Sequence, residues 1–157
     1  MKNQVKQKTN SSILLVDDDP LILKNISMLL EWEGYTVIRA ESGEKALAAM
    51  EASAFDLVIT DLVMAKVDGM AVLEHSKWRY PDAMVIMLTG YADMKAAMNA
   101  IRLGADNFML KPVESEEIYF RVSRCLENRE LRRKIDQRTK ELEALNQQLK
   151  KDITRRK

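Results

Sequence analysis

Phe55-Asp56-Leu57-Val58-Ile59-Thr60-Asp61 decides how this chain folds. Leu57, Val58 and Ile59 form a short apolar run with two β-branched residues, which suits a strand buried on both faces of a parallel sheet. Asp61 follows at the strand's carboxyl end, the end that faces the ligand crevice in open α/β sheets. Three other stretches repeat the pattern. Ser12-Ile13-Leu14-Leu15-Val16 runs into Asp17-Asp18-Asp19, Met84-Val85-Ile86-Met87-Leu88 into Thr89-Gly90, and Asn107-Phe108-Met109-Leu110 into Lys111-Pro112. Acids, a hydroxyl and an ammonium are thereby expected along one sheet edge.

Helical patterns separate these strands. Asp19-Pro20 reads as an N-cap with proline at the first helical position, and Ile22, Ile26, Leu29 and Leu30 share one face as far as Gly34. A strand is expected over 35–38, a helix after Ser42, a helix from Gly69 to Pro81, and a helix over 92–103 closed by Gly104. Five strands alternating with helices give an α/β fold, with a five-stranded parallel doubly wound sheet. Strand order 2-1-3-4-5 puts its switch point between strands one and three, which carry Asp17, Asp18 and Asp61.

The chain has 157 residues, 46% hydrophobic and 31% charged, enough for one domain with an extension. No apolar run is long enough for a membrane span and Met1–Thr9 is polar, so a cytoplasmic location without membrane contact is expected. The single Cys125 excludes an internal disulfide and reads as a small packing residue. His75, the only histidine, is expected on a helix surface. The net charge of +1 hides a division. Residues 1–120 hold 12 basic and 18 acidic side chains (net −6), and residues 121–157 hold 13 and 6 (net +7). The basic tail has interspersed acids and no DNA-reading motif, which argues against direct nucleic-acid binding.

Three adjacent carboxylates repel one another unless a cation neutralises them. A hard divalent ion with oxygen ligands answers that need, and Mg²⁺ fits because it takes one or two carboxylates, waters and a phosphate oxygen. A carboxylate is also a nucleophile toward phosphorus. Lys111 and Thr89 have the chemistry to offset charge on a phosphoryl group and to donate a hydrogen bond to it. Singly, each residue is ordinary turn or surface chemistry; all four strand ends together are not.

In these residues the chain resembles the receiver domain of two-component response regulators. The likeness rests on Leu14-Leu15-Val16-Asp17-Asp18-Asp19-Pro20, Asp56 through Asp61, Asp68-Gly69, Leu88-Thr89-Gly90-Tyr91, and Gly104-Ala105-Asp106 through Lys111-Pro112, over residues 12–125. It implies a flavodoxin-like fold and transfer of a phosphoryl group to Asp61 from a sensor histidine kinase or phosphotransfer protein. It further implies Mg²⁺ held by Asp17, Asp18, Asp61 and the backbone carbonyl of Val63. Thr89 and Lys111 would contact the phosphoryl oxygens, Thr89 and Phe108 would form the switch, and Lys111-Pro112 would be cis. Two positions depart from the pattern. Ala65 replaces the proline that usually follows Met64, which should loosen the loop, and Phe108 lacks the hydroxyl of the common tyrosine.

The organisation expected is a disordered polar lead over 1–11, a receiver over 12–125, and an extended C-terminal helix over 126–157. Ile135, Leu142 and Leu149 occupy one seam position of a seven-residue repeat, Leu131 and Leu145 the other, with Arg138 and Asp152 as polar interruptions. The tail is similar to signalling-helix linkers, so homodimerisation through a coiled coil and an output module beyond Lys157 are expected. The chain would catalyse only its own phosphorylation and dephosphorylation. The alternative is a constitutive dimeric interaction scaffold that does not depend on phosphorylation.

Overall fold

The parallel strands pair in the order β2-β1-β3-β4-β5 in the computed structural model, which describes residues 11–156. The polar lead Met1–Asn10 and Lys157 lie outside the described residues. The strands are β1 (Ser12–Val16), β2 (Thr36–Ala40), β3 (Leu57–Asp61), β4 (Met84–Thr89) and β5 (Asn107–Leu110). The helices are α1 (Pro20–Trp32), α2 (Gly43–Ala52), α3 (Gly69–Arg79), α4 (Met94–Arg102) and α5 (Ser115–Arg155).

Alternation along each strand divides the core into two layers. Leu14, Val16, Val58, Val85 and Met87 pack with Ala46, Met50, Val72, Leu73, Ala97 and Ala100 of α2, α3 and α4. Ile13, Leu15, Leu57, Ile59, Ile86 and Leu88 pack on the opposite face with Leu23, Ile26 and Leu30 of α1 and Ile118, Val122 and Cys125 of α5. β3 lies in the middle of the sheet with every residue buried, which is why its sequence shows no polar alternation. Asp19 and Ser42 cap α1 and α2, accepting from Leu21 N–H at 2.9 Å and Lys45 N–H at 3.1 Å. Gly34 and Gly104 end α1 and α4 with φ of 97° and 111°.

Three local expectations change. β2 runs over Thr36–Ala40 rather than 35–38, because Ser12–Val16 pairs residue for residue with that segment. The helix expected over 92–103 divides into a 3₁₀ turn at Tyr91–Asp93 and α4 from Met94. His75 is not a free surface side chain: it is half-buried, with Nε2 2.9 Å from Glu51 Oε1, and so bridges α3 to α2. Cys125 is buried, and desolvation pushes its thiol up to about 12.

The loop after β3 closes on itself. Met64 is buried in the core, and Gly69 N–H donates to Leu62 C=O at 2.9 Å. Lys66 adopts φ 62°, the left-handed region that disfavours a side chain. Lys66→Gly is therefore expected to stabilise the fold by about 1 kcal/mol. That is a rise of about 3 °C in thermal midpoint for a chain of this size, and an unchanged or lower midpoint contradicts it.

Candidate functional site

The carboxyl ends of β1, β3, β4 and β5 bring Asp17, Asp61, Thr89 and Lys111 to one edge of the sheet. Asp17 directly follows β1 and is fully buried; Asp61 closes β3 and is nearly so. Asp18 is exposed. Oxygens of the three carboxylates all lie within 4.8 Å of one another. Lys111 Nζ stands 2.8 Å from Asp17 Oδ2 and 3.2 Å from Asp61 Oδ2, so one ammonium bridges two acids. Asp17 Oδ1 also accepts from Asp19 N–H at 2.9 Å, which fixes the rotamer at the turn into α1.

Burial and the neighbouring Asp17 charge raise the Asp61 carboxyl above its usual range, while Lys111 and the Val63 backbone amide act in the opposite sense. For Lys111, burial works against the ammonium. The hydrogen bond from Lys111 to Asp17 and the charges of Asp17 and Asp61 outweigh that, so its affinity for a proton is raised. A basic ammonium thus stands beside a carboxylate held in an unfavourable setting. The stability that a raised carboxyl contributes is present below its ordinary value of 3.8 and is lost as pH rises through the raised one. Asp61→Asn is therefore expected to be more stable than the native chain at neutral pH, by about 1 kcal/mol, the trade-off typical of functional sites. The difference should shrink toward acid pH. Urea midpoints at neutral and acid pH check it, and a less stable variant at neutral pH contradicts it.

Thr89 ends β4 with its hydroxyl buried and donating to Gly90 C=O at 3.2 Å. Lys111 N–H donates to Thr89 C=O at 2.8 Å and fastens the lysine's backbone to that strand. The Lys111–Pro112 peptide is cis. Phe108 pairs with Met87 in the sheet, is half-buried against the α2–α4 layer, and lines a cleft with Tyr91, Leu110, Lys111, Glu117 and Arg121. Val63 follows the site with its side chain exposed. The three-carboxylate donor set, with its oxygens within 4.8 Å of one another, fits a hard divalent cation.

Two glycines support the site, and for one of them, Gly43, the sequence carries no signal. A Cβ on Gly69 would meet Asp61 C=O at 2.3 Å, and one on Gly43 would meet Val67 C=O at 2.2 Å. Both glycines let backbone approach the site's loop. In sequence, only the Asp68-Gly69 pair at a helix start hinted at this.

The family model of the response regulator receiver domain matches residues 13–123. The transcriptional regulatory protein GlrR of Escherichia coli is 38% identical over 115 residues, covering 73% of this chain and 26% of its own length. Among solved structures, NtrX from Brucella abortus superposes with a TM-score of 0.78 at 32% identity, covering 82% of this chain and 30% of that one. A structure described as adenylate cyclase from Rhodopirellula baltica gives a TM-score of 0.78 at 29% identity, covering 84% of this chain and 98% of that one. The chain spans about a quarter of the length of the curated relatives it matches first.

Proposed function

This chain belongs to the response regulator receiver family, and from that premise we propose that it accepts a phosphoryl group on Asp61 and relays the change through the face around Phe108 and the C-terminal helix. The observation that carries the proposal is the bridge of Lys111 between Asp17 and Asp61, beside an exposed third carboxylate on Asp18. The donor is a phosphohistidine of a sensor kinase or phosphotransfer protein. The Asp61 carboxylate oxygen forms a bond to phosphorus, the P–N bond to imidazole breaks, and the imidazole nitrogen takes up a proton. Asp17, Asp18, Asp61 and the Val63 carbonyl would hold Mg²⁺, which when bound supplies charge neutralisation at the phosphoryl oxygens.

This chain's own residues do the rest. Lys111 exchanges its Asp61 contact for a phosphoryl oxygen while keeping Asp17 in place. The Thr89 hydroxyl gives up Gly90 C=O for another phosphoryl oxygen, which alters the space beside Phe108. Without a hydroxyl, Phe108 responds through packing alone. Phosphorylation biases two arrangements only by its differential interaction with them. Borohydride reduction of the acyl phosphate converts the modified aspartate to homoserine, and peptide mapping is expected to find it at position 61. Homoserine at another aspartate contradicts the assignment.

We also infer a cytoplasmic homodimer formed through the C-terminal helix. Leu131, Ile135, Leu142, Leu145 and Leu149 are all half-exposed or more on a helix of 41 residues. Ile153 is similarly exposed and continues the stripe where Asp152 interrupts the seven-residue register. Sedimentation of the native chain at micromolar concentration should give a dimer, and Leu142→Lys/Leu145→Lys a monomer. A native chain that sediments as a monomer contradicts this. No helix among the described residues is long and apolar enough to cross a membrane.

A further inference from the structure

α5 does not leave the domain at its last core residue. Past Cys125 it runs under the amino-terminal edge of the sheet, opposite the candidate site, and two arginines grip that edge. Arg129 Nη1 lies 3.0 Å from Asp56 Oδ1, and its Nε donates to Asp82 C=O at 3.1 Å. Arg132 Nη1 lies 3.4 Å from Asp106 Oδ1 and 3.8 Å from Met84 Sδ.

Both aspartates are built into the sheet. Asp56 precedes β3, and its other oxygen accepts from Ser12 N–H of β1 at 2.8 Å. Asp106 precedes β5, and its other oxygen accepts from Val85 N–H of β4 at 2.8 Å and from Lys77 Nζ at 3.0 Å. Each carboxylate therefore ties two neighbouring strands with one oxygen and the helix with the other. The strands gripped in this way include β3, β4 and β5. At their far ends the same three strands carry Asp61, Thr89 and Lys111. Beyond Arg132 every described residue of the helix is exposed.

We propose that Arg129 and Arg132 clamp the extended helix to the floor of the sheet, so that the receiver body ends at Arg132 and the free output helix begins there. The clamp sets the direction in which the apolar stripe leaves the domain, and thereby the geometry in which two copies meet. Arg129 is the stronger jaw: its side chain is only 17% exposed, against 66% for Arg132. Partial burial makes a charge-assisted pair stronger than an exposed one, and Arg129 adds a second hydrogen bond to backbone. Arginine suits the role because its planar fork serves two acceptors at once. Of the three arginines that line the cleft between β4, β5 and α5, Arg132 is thus committed to Asp106 and Arg121 to Glu117 and Asn107, while Arg124 lies over the Phe120 ring at 5.3 Å.

The clamp stands apart from phosphoryl transfer, and its test uses no phosphodonor. Spin labels are placed on the full chain at Ser53→Cys, at the exposed end of α2, and at Gln137→Cys, one turn beyond the clamp. Cys125 is buried with its thiol pushed up to about 12, so it stays unlabelled. Dilution with unlabelled chain restricts the signal to distances within one copy. The native clamp predicts one narrow distance distribution. Arg129→Gln/Arg132→Gln should broaden it at least twofold or shift its centre, with the receiver's thermal transition retained. If the double variant does not fold, Arg129→Gln alone carries the test, with the same broadening expected to a smaller extent. A distribution unchanged in a folded variant overturns the clamp.

Discussion

Gly69→Ala is expected to destabilise the protein by about 3 kcal/mol. Gly69 opens α3, where the Asp68 side chain accepts from Ala71 N–H at 3.0 Å and Gly69 N–H donates to Leu62 C=O. The added methyl carbon would lie 2.3 Å from Asp61 C=O and 2.8 Å from Leu62 Cα. Both are backbone atoms at the end of the central strand, so no side chain can swing aside. Either α3 moves outward or the end of β3 shifts, and the second displaces the Asp61 carboxylate. A chain of this size loses about 10 °C of thermal midpoint for that cost. Gly90→Ala is the control. Its Cβ would have nothing nearer than Asp93 Oδ2 at 3.9 Å, and the substitution should change stability by less than about 0.5 kcal/mol. A Gly69→Ala variant as stable as Gly90→Ala contradicts the packing argument.

Lys111→Met should cost about 2–3 kcal/mol at neutral pH in low salt without divalent cations. Removing one partner of a buried ion pair leaves the other charge without compensation. Here the loss exposes two carboxylates to each other, one of them fully buried. The direction of the Lys111 shift carries the sign. Its affinity for a proton is raised, so its contribution is present below the ordinary ammonium value of 10.5 and is lost only as pH rises through the raised one. The variant's deficit should therefore be full at neutral pH. It should diminish toward acid, where Asp61, already raised by burial and Asp17, takes up a proton in place of the missing ammonium. Millimolar Mg²⁺ should restore part of the loss. Urea midpoints of both chains across pH test this. Equal midpoints at neutral pH contradict the view that Lys111 neutralises the acidic edge.

The sheet was legible because its signals are local. Val58 and Ile59 on a fully apolar strand, Asp19-Pro20 at a helix start and Gly34 at a helix end each announce themselves within a few residues. The site was legible for a related reason: parallel strands present their carboxyl ends together, so Asp17, Asp61, Thr89 and Lys111 converge once the alternation is read. What escaped depends on distance between elements. Nothing near Gly43 shows that Val67 C=O passes against it. His75 reads as a surface histidine until α2 brings Glu51 to it. Arg129 and Arg132 look like members of a basic tail, because Asp56 and Asp106 lie far away in sequence. A strict seven-residue register places Asp152 at the seam and leaves Ile153 outside it. A straight helix drifts from that register, and the apolar stripe drifts with it.

The most direct measurement is the intact mass of the native chain and of Asp61→Asn after incubation with a small acyl phosphate or a phosphohistidine donor and Mg²⁺. One added phosphoryl group on the native chain, absent from Asp61→Asn and absent with chelator, is the predicted result. A folded native chain that stays unmodified with both donors, or an Asp61→Asn chain that gains the same group, contradicts the account.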